Sequence, residues 1–410
     1  MPHAPRTLLL EIFRTALEAA NGRARVRAYL RDRPLAPPVY LIAIGKAACP
    51  MAQGAHEALG TGIADALVVT KEGHAEPLPW PVLETGHPLP DARSLEAGAR
   101  LARFVAAIPG DAPVLVLLSG GASALIEELP AGVTLERLQE ITRWLLGSGL
   151  DIARMNQIRK RLSRIKGGRL AQRLAPRPVL CLAISDVPLD DPRAIGSGPL
   201  VADASLSEPL ETAGLPAFVR AALQAAPPAP ESGDACFRNV RFEIVARLED
   251  VKRAAAAAAG ERGYRAAVEP EFISGDAHQA GARLARVLLE SESGVVHVWG
   301  GETTLVLPPS PGRGGRNQSL ALAAALALQG HDNAWLLAAG TDGTDGPTED
   351  AGALVDGGTV ARGALAGLDA RQALARADAG TFLEASGDLI HTGPTGTNVM
   401  DIFIGVRTEG

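Results

Sequence analysis

The sequence predicts two α/β domains, and three observations predict them. Its 410 residues exceed the size at which a single hydrophobic core usually keeps growing. Apolar strand-like runs alternate with Ala- and Leu-rich helical stretches, the pattern of parallel βαβ units with helices on both faces of a sheet. Between 204 and 235 that pattern decays into Ala, Pro and Glu, with AAPPAPESGDA at 225–235 reading as a linker. One domain is therefore expected over 1–228, three-layered around a mostly parallel sheet, and a second over 236–410.

The N-terminal segment places Leu9, Ile12, Phe13, Ala16 and Leu17 on one helical face, while Glu11 and Glu18 interrupt anything like a secretory core. It reads as a docking helix. Strands follow at VYLIAIGK (39–46), DALVVT (65–70), PVLVLLSGG (113–121) and VLCLAISD (179–186). After the linker, FEIVAR at 242–247 is expected to open the second domain. An Ala-rich helix from Asp250 to Ala259, a helix begun after the N-cap candidate Asp276, and strands at 297–307 and 335–339 complete it. No internal repeat is visible.

With 47% hydrophobic and 21% charged residues, the composition is that of an ordinary soluble enzyme, and a net charge of −6 argues against a dedicated nucleic-acid binder. No apolar run approaches the ~20 residues of a membrane span. Cys49, Cys181 and Cys236 lack metal spacing and suggest a reducing compartment, which makes the cytoplasm the expected location.

Five apolar runs end in polar or glycine-rich loops: IGKAA (44–48), LSGGASA (118–124), ISDVPLDDP (184–192), WGGETT (299–304) and AGTDGTDGP (339–347). Loops at strand ends are where α/β proteins bind ligands, so together they imply a crowded site. Lys46 follows a strand and opens a helix, which puts its ammonium beside free amides that favour phosphate; a solvated lysine at a helix start is the plainer alternative. In Ser119-Gly120-Gly121-Ala122-Ser123, adjacent glycines let backbone amides approach a phosphate or carboxylate, although the loop lacks the GxxxxGK[ST] pattern and also fits a bare turn.

In MNQIRKRLSRIKGGRLAQRL (155–174), Ile152, Met155, Ile158, Leu162 and Ile165 make an apolar stripe before Gly167-Gly168 breaks the helix. The basic residues Arg159, Lys160, Arg161, Arg164 and Lys166 read as a solvated charged face. Asp186, Asp190 and Asp191 share one strand-end loop and could bind Mg²⁺ or accept a hydroxyl proton; Asp186 is favoured because it directly ends its strand. Arg316, after a Gly-rich loop that also holds Arg313, suits a bidentate phosphate clamp. Asp342, Asp345, Glu349 and Asp350 in WLLAAGTDGTDGPTED fit either a cation site or a surface turn, and 391–401 adds a Gly/Thr loop with Asn398 and Asp401. The histidines share no zinc spacing, and His87 in GHPLPD reads as a loop residue. A GxGxxG fingerprint is absent, since PGRGGRN carries Asn317 where the last glycine belongs.

Taken in order, IGKAA, LSGGASAL, NQIRKRLSRIKGGRLA, SDVPLDDPRAIGSGP, GGETT, GGRNQ, TDGTDGPTEDAGA and TGPTGTNV resemble the glycerate 2-kinases of the MOFRL type over residues 40–405. The resemblance implies a Rossmann-like N-terminal domain, a C-terminal MOFRL α/β domain and an active site in the cleft between them. It implies ATP-dependent phosphorylation of D-glycerate at the 2-hydroxyl, with Mg²⁺, small-molecule partners alone, no nucleic acid or membrane, and a monomer or homodimer. Lys46 and Arg316 match the family's phosphate-handling residues, with Asp186 as a third catalytic candidate. Ser119, Gly120, Gly121, Ser123, Arg159, Asn317 and Asn398 are then expected to bind substrate or phosphate, and Asp190, Asp342 and Asp345 to bind metal. Ser319 and Met400 depart from the residues common in the family and are poor catalytic candidates. Similar proteins are often named hydroxypyruvate reductases; the alternative is thus an NAD(P)H-dependent reductase of hydroxypyruvate or tartronate semialdehyde, which the missing fingerprint gives no reason to prefer.

Overall fold

The computed structural model describes residues 4–409, which form two compact units: Gly22–Val245, and a second unit joining the N-terminal segment through Asn21 to everything from Ala246 onward. Among the described residues no helix is long and apolar enough to cross a membrane.

The unit Gly22–Val245 is built on β1 (Val39–Ile44), β2 (Ile63–Lys71), β3 (Val82–Thr85), β4 (Val114–Leu118), β5 (Val179–Ile184) and β6 (Val240–Ala246), in the order β3-β2-β1-β4-β5-β6. The pairs β3/β2, β2/β1, β1/β4 and β4/β5 are all parallel. This is the dinucleotide-fold strand order, and it reverses direction between β1 and β4. Strands buried on both faces need apolar residues at every position, which is why these runs are continuous. Along β1, Ile42 and Ile44 join a core with Ala97, Leu101 and Val105 of the helix Ala92–Ala107, while Leu41 and Ala43 are buried on the opposite face. A separate apolar cluster around Ile141, Leu145, Ile158, Leu162 and Val219 joins the helices Leu135–Gly147, Ile152–Arg161 and Ala217–Gln224. The expected stripe at 152–165 is buried at Ile158, Leu162 and Ile165; the side chain of Ile152 lies outside the described residues.

The second unit carries β7 (Arg265–Asp276), β8 (Val295–Thr304), β9 (Ala334–Gly340), β10 (Gly352–Asp356), β11 (Leu389–Ile390) and β12 (Asp401–Arg407), in the order β11-β10-β9-β12-β8-β7. Only β7/β8 among its pairs is parallel; β12 lies antiparallel between β8 and β9. The helix Arg316–Leu328 crosses from β8 to β9 and is buried nearly all round, from Asn317 through Ala325, which accounts for its unbroken Leu/Ala composition.

Two expectations about domain limits are corrected. FEIVAR does not open the second domain: it lies in β6, the edge strand beside β5, where Val179 N donates to Asn239 O at 2.9 Å. The linker at 225–235 is thus a loop within the first unit, and the boundary falls near 245. The helix Pro5–Glu18 does dock as its periodicity predicts, but onto the second unit. It buries Leu8, Leu9, Ile12 and Phe13, each contributing about 2 kcal/mol of apolar burial. Arg6 pairs with Asp388 at 2.9 Å and Glu11 with Arg262 at 3.1 Å.

Candidate active site

In the first unit, the loops after β1 and β4 meet at the point where strand order reverses. Lys46 N donates to Gly120 O at 2.9 Å, Ala47 N to Ser119 Oγ at 3.0 Å, and Ser119 N to Ile44 O at 3.1 Å. Crevices of this kind, outside the carboxyl ends of parallel strands, are where open α/β sheets bind ligands. Gly121 has φ +85°, and a methyl group there would lie 3.3 Å from Lys46 Cγ and 3.2 Å from His87 Cδ2, so both the backbone and the close approach require glycine. The fold therefore brings Lys46, Ser119, Gly120 and Gly121 together. Lys46 is half-buried and begins the lead-in to the helix Ala48–Leu59.

Ser123 is hydrogen-bonded to Ser197, a residue with φ +64° in the loop after β5. Gly167 N and Gly168 N donate to Ser197 O and Gly198 O at 3.0 and 2.8 Å, which ties that loop to the glycine pair of the basic segment. In the same loop Leu189 and Asp190 also have positive φ, a costly conformation for residues with a side chain. Asp186 and Asp190 are half-buried.

The basic segment is not a wholly solvated face: Arg164 is exposed, but Arg159 and Arg161 are half-buried. Lys160, Lys166 and Arg169 are buried. Lys160 pairs with Asp203 at 2.7 Å, Lys166 pairs with Glu127, and Arg169 donates to the carbonyls of Lys160, Lys166 and Pro227. Arg159 is different: half-buried, it makes no hydrogen bond or ion pair among the described residues, and burial lowers its pKa against a favourable pull from Glu127. A half-buried cation without an ion-pair partner suits an anionic ligand.

In the second unit, the first residues of β12 lie beside the carboxyl ends of β8 and β9, with Asp401 opposite both Gly301 and Gly340. Arg316, at the start of its helix, donates Nε and Nη2 to Asp401 at 2.7 and 3.0 Å and Nη1 to Glu302 at 2.7 Å. Burial works against the charge on Arg316, but Asp401 and Glu302 overcome it and hold the guanidinium protonated. Asn317 Nδ2 also donates to Asp401 Oδ1 at 3.1 Å. Arg316 is thus an oriented cation within an acidic ring.

Asp345 does not behave as the metal ligand expected of it. Its two carboxylate oxygens accept Asn317 N at 3.0 Å and Gln318 N at 2.8 Å, so it caps the Arg316 helix from a distant loop. A methyl on Gly315 would lie 2.3 Å from Asp345 Oδ1, which explains the glycine before Arg316. Asp342 Oδ1 accepts Thr344 N and Thr344 Oγ1, each at 3.0 Å, in a local turn. Among the described residues, no three His, Cys, Asp or Glu side chains form a group that could hold a metal, so Asp190, Asp342 and Asp345 make no protein cage for Mg²⁺. Asn398 is half-buried in a loop fastened by Val399 N to Thr341 Oγ1 at 2.8 Å and by Thr341 N to Met400 O at 3.0 Å.

Burial pushes the Asp345 carboxyl up from 3.8 to about 7, against the two helix amides that pull it down. The folded state then keeps a proton that the unfolded chain releases, so this group's contribution is present below about pH 4 and lost as pH rises through about 7. Urea unfolding from pH 4 to 8 should show a shallower fall in stability for Asp345→Asn than for the wild type; parallel curves would contradict this assignment.

The sequence alone reads His87 as a loop residue, gives Glu302 and Ser197 no role, and names Asp401 without one. Glu302 and Asp401 lie in motifs already noted, but only the antiparallel placement of β12 brings them to Arg316. Cys49 and Cys181 are buried, and burial raises both thiols, Cys49 to about 11, so they are inert core residues.

Residues 8–214 match a domain of unknown function, DUF4147, and residues 295–401 match the MOFRL family. The chain is 38% identical to a D-glycerate 2-kinase of Thermotoga maritima over 99% of both chains. It is 35% identical to a glycerate 2-kinase of Pyrococcus horikoshii, over 90% of this chain and 88% of that one. A protein of Agrobacterium vitis named provisionally as a hydroxypyruvate reductase is 36% identical over 97% of this chain and 93% of its own. The crystal structure of glycerate kinase from Thermotoga maritima superposes with a TM-score of 0.86 at 37% identity, covering 99% of this chain and 100% of that one.

Proposed function

The chain belongs to the glycerate kinases that join a DUF4147 domain to a MOFRL domain, and from that premise we infer that it transfers a phosphoryl group from ATP to the 2-hydroxyl of D-glycerate. The observation that carries the reading within the chain is the loop pair at the strand-order reversal, where a lysine stands beside a Ser-Gly-Gly turn. Phosphoryl transfer asks a protein mainly for positioning and for positive charge near the transferring oxygens. Lys46 supplies a point charge in the first unit. Arg316 supplies a rigid fork in the second, aimed by Asp401 and Glu302 and one-third exposed. Arg159 and the Ser119–Ser123 loop are assigned to the carboxylate of the acceptor, and Asn398 to a further polar contact; Asn317, expected to bind substrate, is fully buried and instead donates to Asp401, so it helps hold the carboxylate that orients Arg316.

Asp186 is assigned as the group that accepts the hydroxyl proton. With no protein cage for a cation, we assign Mg²⁺ to the phosphates of ATP, with at most one or two carboxylates contributing, the ordinary manner in which this ion binds at nucleotide sites.

The reductase reading has the right strand order but the wrong loop. Gly45 is followed by Lys46, Ala47 and Ala48, so the glycines that bring a pyrophosphate against the backbone are missing. ADP release that requires D-glycerate tests the choice: the kinase gives it, whereas NAD(P)H oxidation by hydroxypyruvate without ADP release would reverse the assignment.

A further inference from the structure

His87 stands in the loop between β3 and the helix Ala92–Ala107, on the carboxyl edge of the parallel sheet that also holds the loops after β1 and β4. A methyl group on Gly121 would lie 3.2 Å from His87 Cδ2, 3.4 Å from His87 Nε2 and 3.3 Å from Lys46 Cγ, so the imidazole and the lysine stem border one point. The loop is fastened on both sides of the ring. Thr85 Oγ1 donates to Leu125 O at 2.8 Å, at the far end of the Ser-Gly-Gly turn, and Asp91 accepts the backbone amides of Ser94 and Gly86. His87 is half-buried, which leaves part of the residue open to solvent.

Resting on the kinase reading, we propose that His87 binds the acceptor hydroxyl of the hydroxy-acid substrate and selects which hydroxyl receives the phosphoryl group. The acceptor's carboxylate belongs on the glycine turn and the phosphoryl group opposite Lys46, so the reacting hydroxyl lies between them, where His87 borders both. Lys46 can only donate hydrogen bonds, whereas a hydroxyl both donates and accepts. An imidazole nitrogen donates or accepts according to its tautomer, so a single ring nitrogen of His87 can meet that hydroxyl in either sense.

Steady-state kinetics of His87→Ala and His87→Gln, with D-glycerate and ATP varied separately and the product isomer identified, test the proposal. Loss of one hydrogen bond to the acceptor is expected to raise KM for D-glycerate about tenfold in His87→Ala, with KM for ATP within about twofold. His87→Gln, which keeps a donor and an acceptor, is expected to recover part of the loss. The share of 3-phosphoglycerate in the product should rise in His87→Ala. A wild-type KM for D-glycerate with an unchanged product, or a defect confined to ATP, overturns the proposal. Thermal melting identifies a variant that fails to fold, in which case the glutamine variant decides. If the wild type releases no ADP with D-glycerate, the kinase reading itself fails and takes this inference with it.

Discussion

Lys46→Ala is expected to lower kcat for ATP-dependent phosphorylation of D-glycerate by about two to three powers of ten, while the melting temperature stays near that of the wild type. The size follows from removing one charge aimed at a developing phosphoryl oxyanion, which costs about 100- to 1,000-fold in comparable sites. Stability should be largely spared because the substitution retains two contacts that fix this loop, Lys46 N to Gly120 O and Ala47 N to Ser119 Oγ. Lys46→Arg should recover little, since the stem passes close to Gly121 and a planar fork cannot take the place of a compact ammonium. A coupled assay of ADP release measures the effect, and a kcat for Lys46→Ala within about threefold of the wild type would remove Lys46 from the chemistry.

Arg316→Ala carries the second large effect, on activity and stability together. It strands Asp401, whose side chain is 1% exposed, without the guanidinium that neutralises it. Breaking a fully buried pair costs about 3–5 kcal/mol; with Arg316 itself one-third exposed, roughly 2–3 kcal/mol is expected. The double variant Arg316→Ala, Asp401→Asn separates the two roles. Removing the stranded charge should restore most of the stability measured by urea unfolding, but none of the kcat. If the double variant regained activity along with stability, Arg316 would be a structural counter-ion and nothing more.

The parts of this molecule legible in its sequence are those whose cause is local. β1, β2, β4 and β5 announce themselves because strands buried on both faces require unbroken apolar runs, and the loops that end them are marked by glycine. The docking helix shows its face through period alone. What stayed hidden depends on distant partners. FEIVAR is a good strand wherever it pairs, and nothing within it tells that its neighbour is β5. The basic segment looks solvated until Asp203 and Glu127, 43 positions from Lys160 and 39 from Lys166, are brought to it by the fold. Asp345 reads as a turn or cation residue because the amides it caps belong to a helix 27 and 28 positions earlier. For the same reason Asp401 could be named but not used: its role depends on β12 entering the sheet antiparallel, between strands that precede it in the chain.

The identity of the phosphorylated product tests the account most directly. Wild-type protein incubated with ATP, Mg²⁺ and D-glycerate, with the product resolved by phosphorus and proton NMR, is predicted to yield ADP and 2-phosphoglycerate in equal amounts. Formation of 3-phosphoglycerate as the main product, or oxidation of NAD(P)H by hydroxypyruvate with no phosphorylated product, would contradict it.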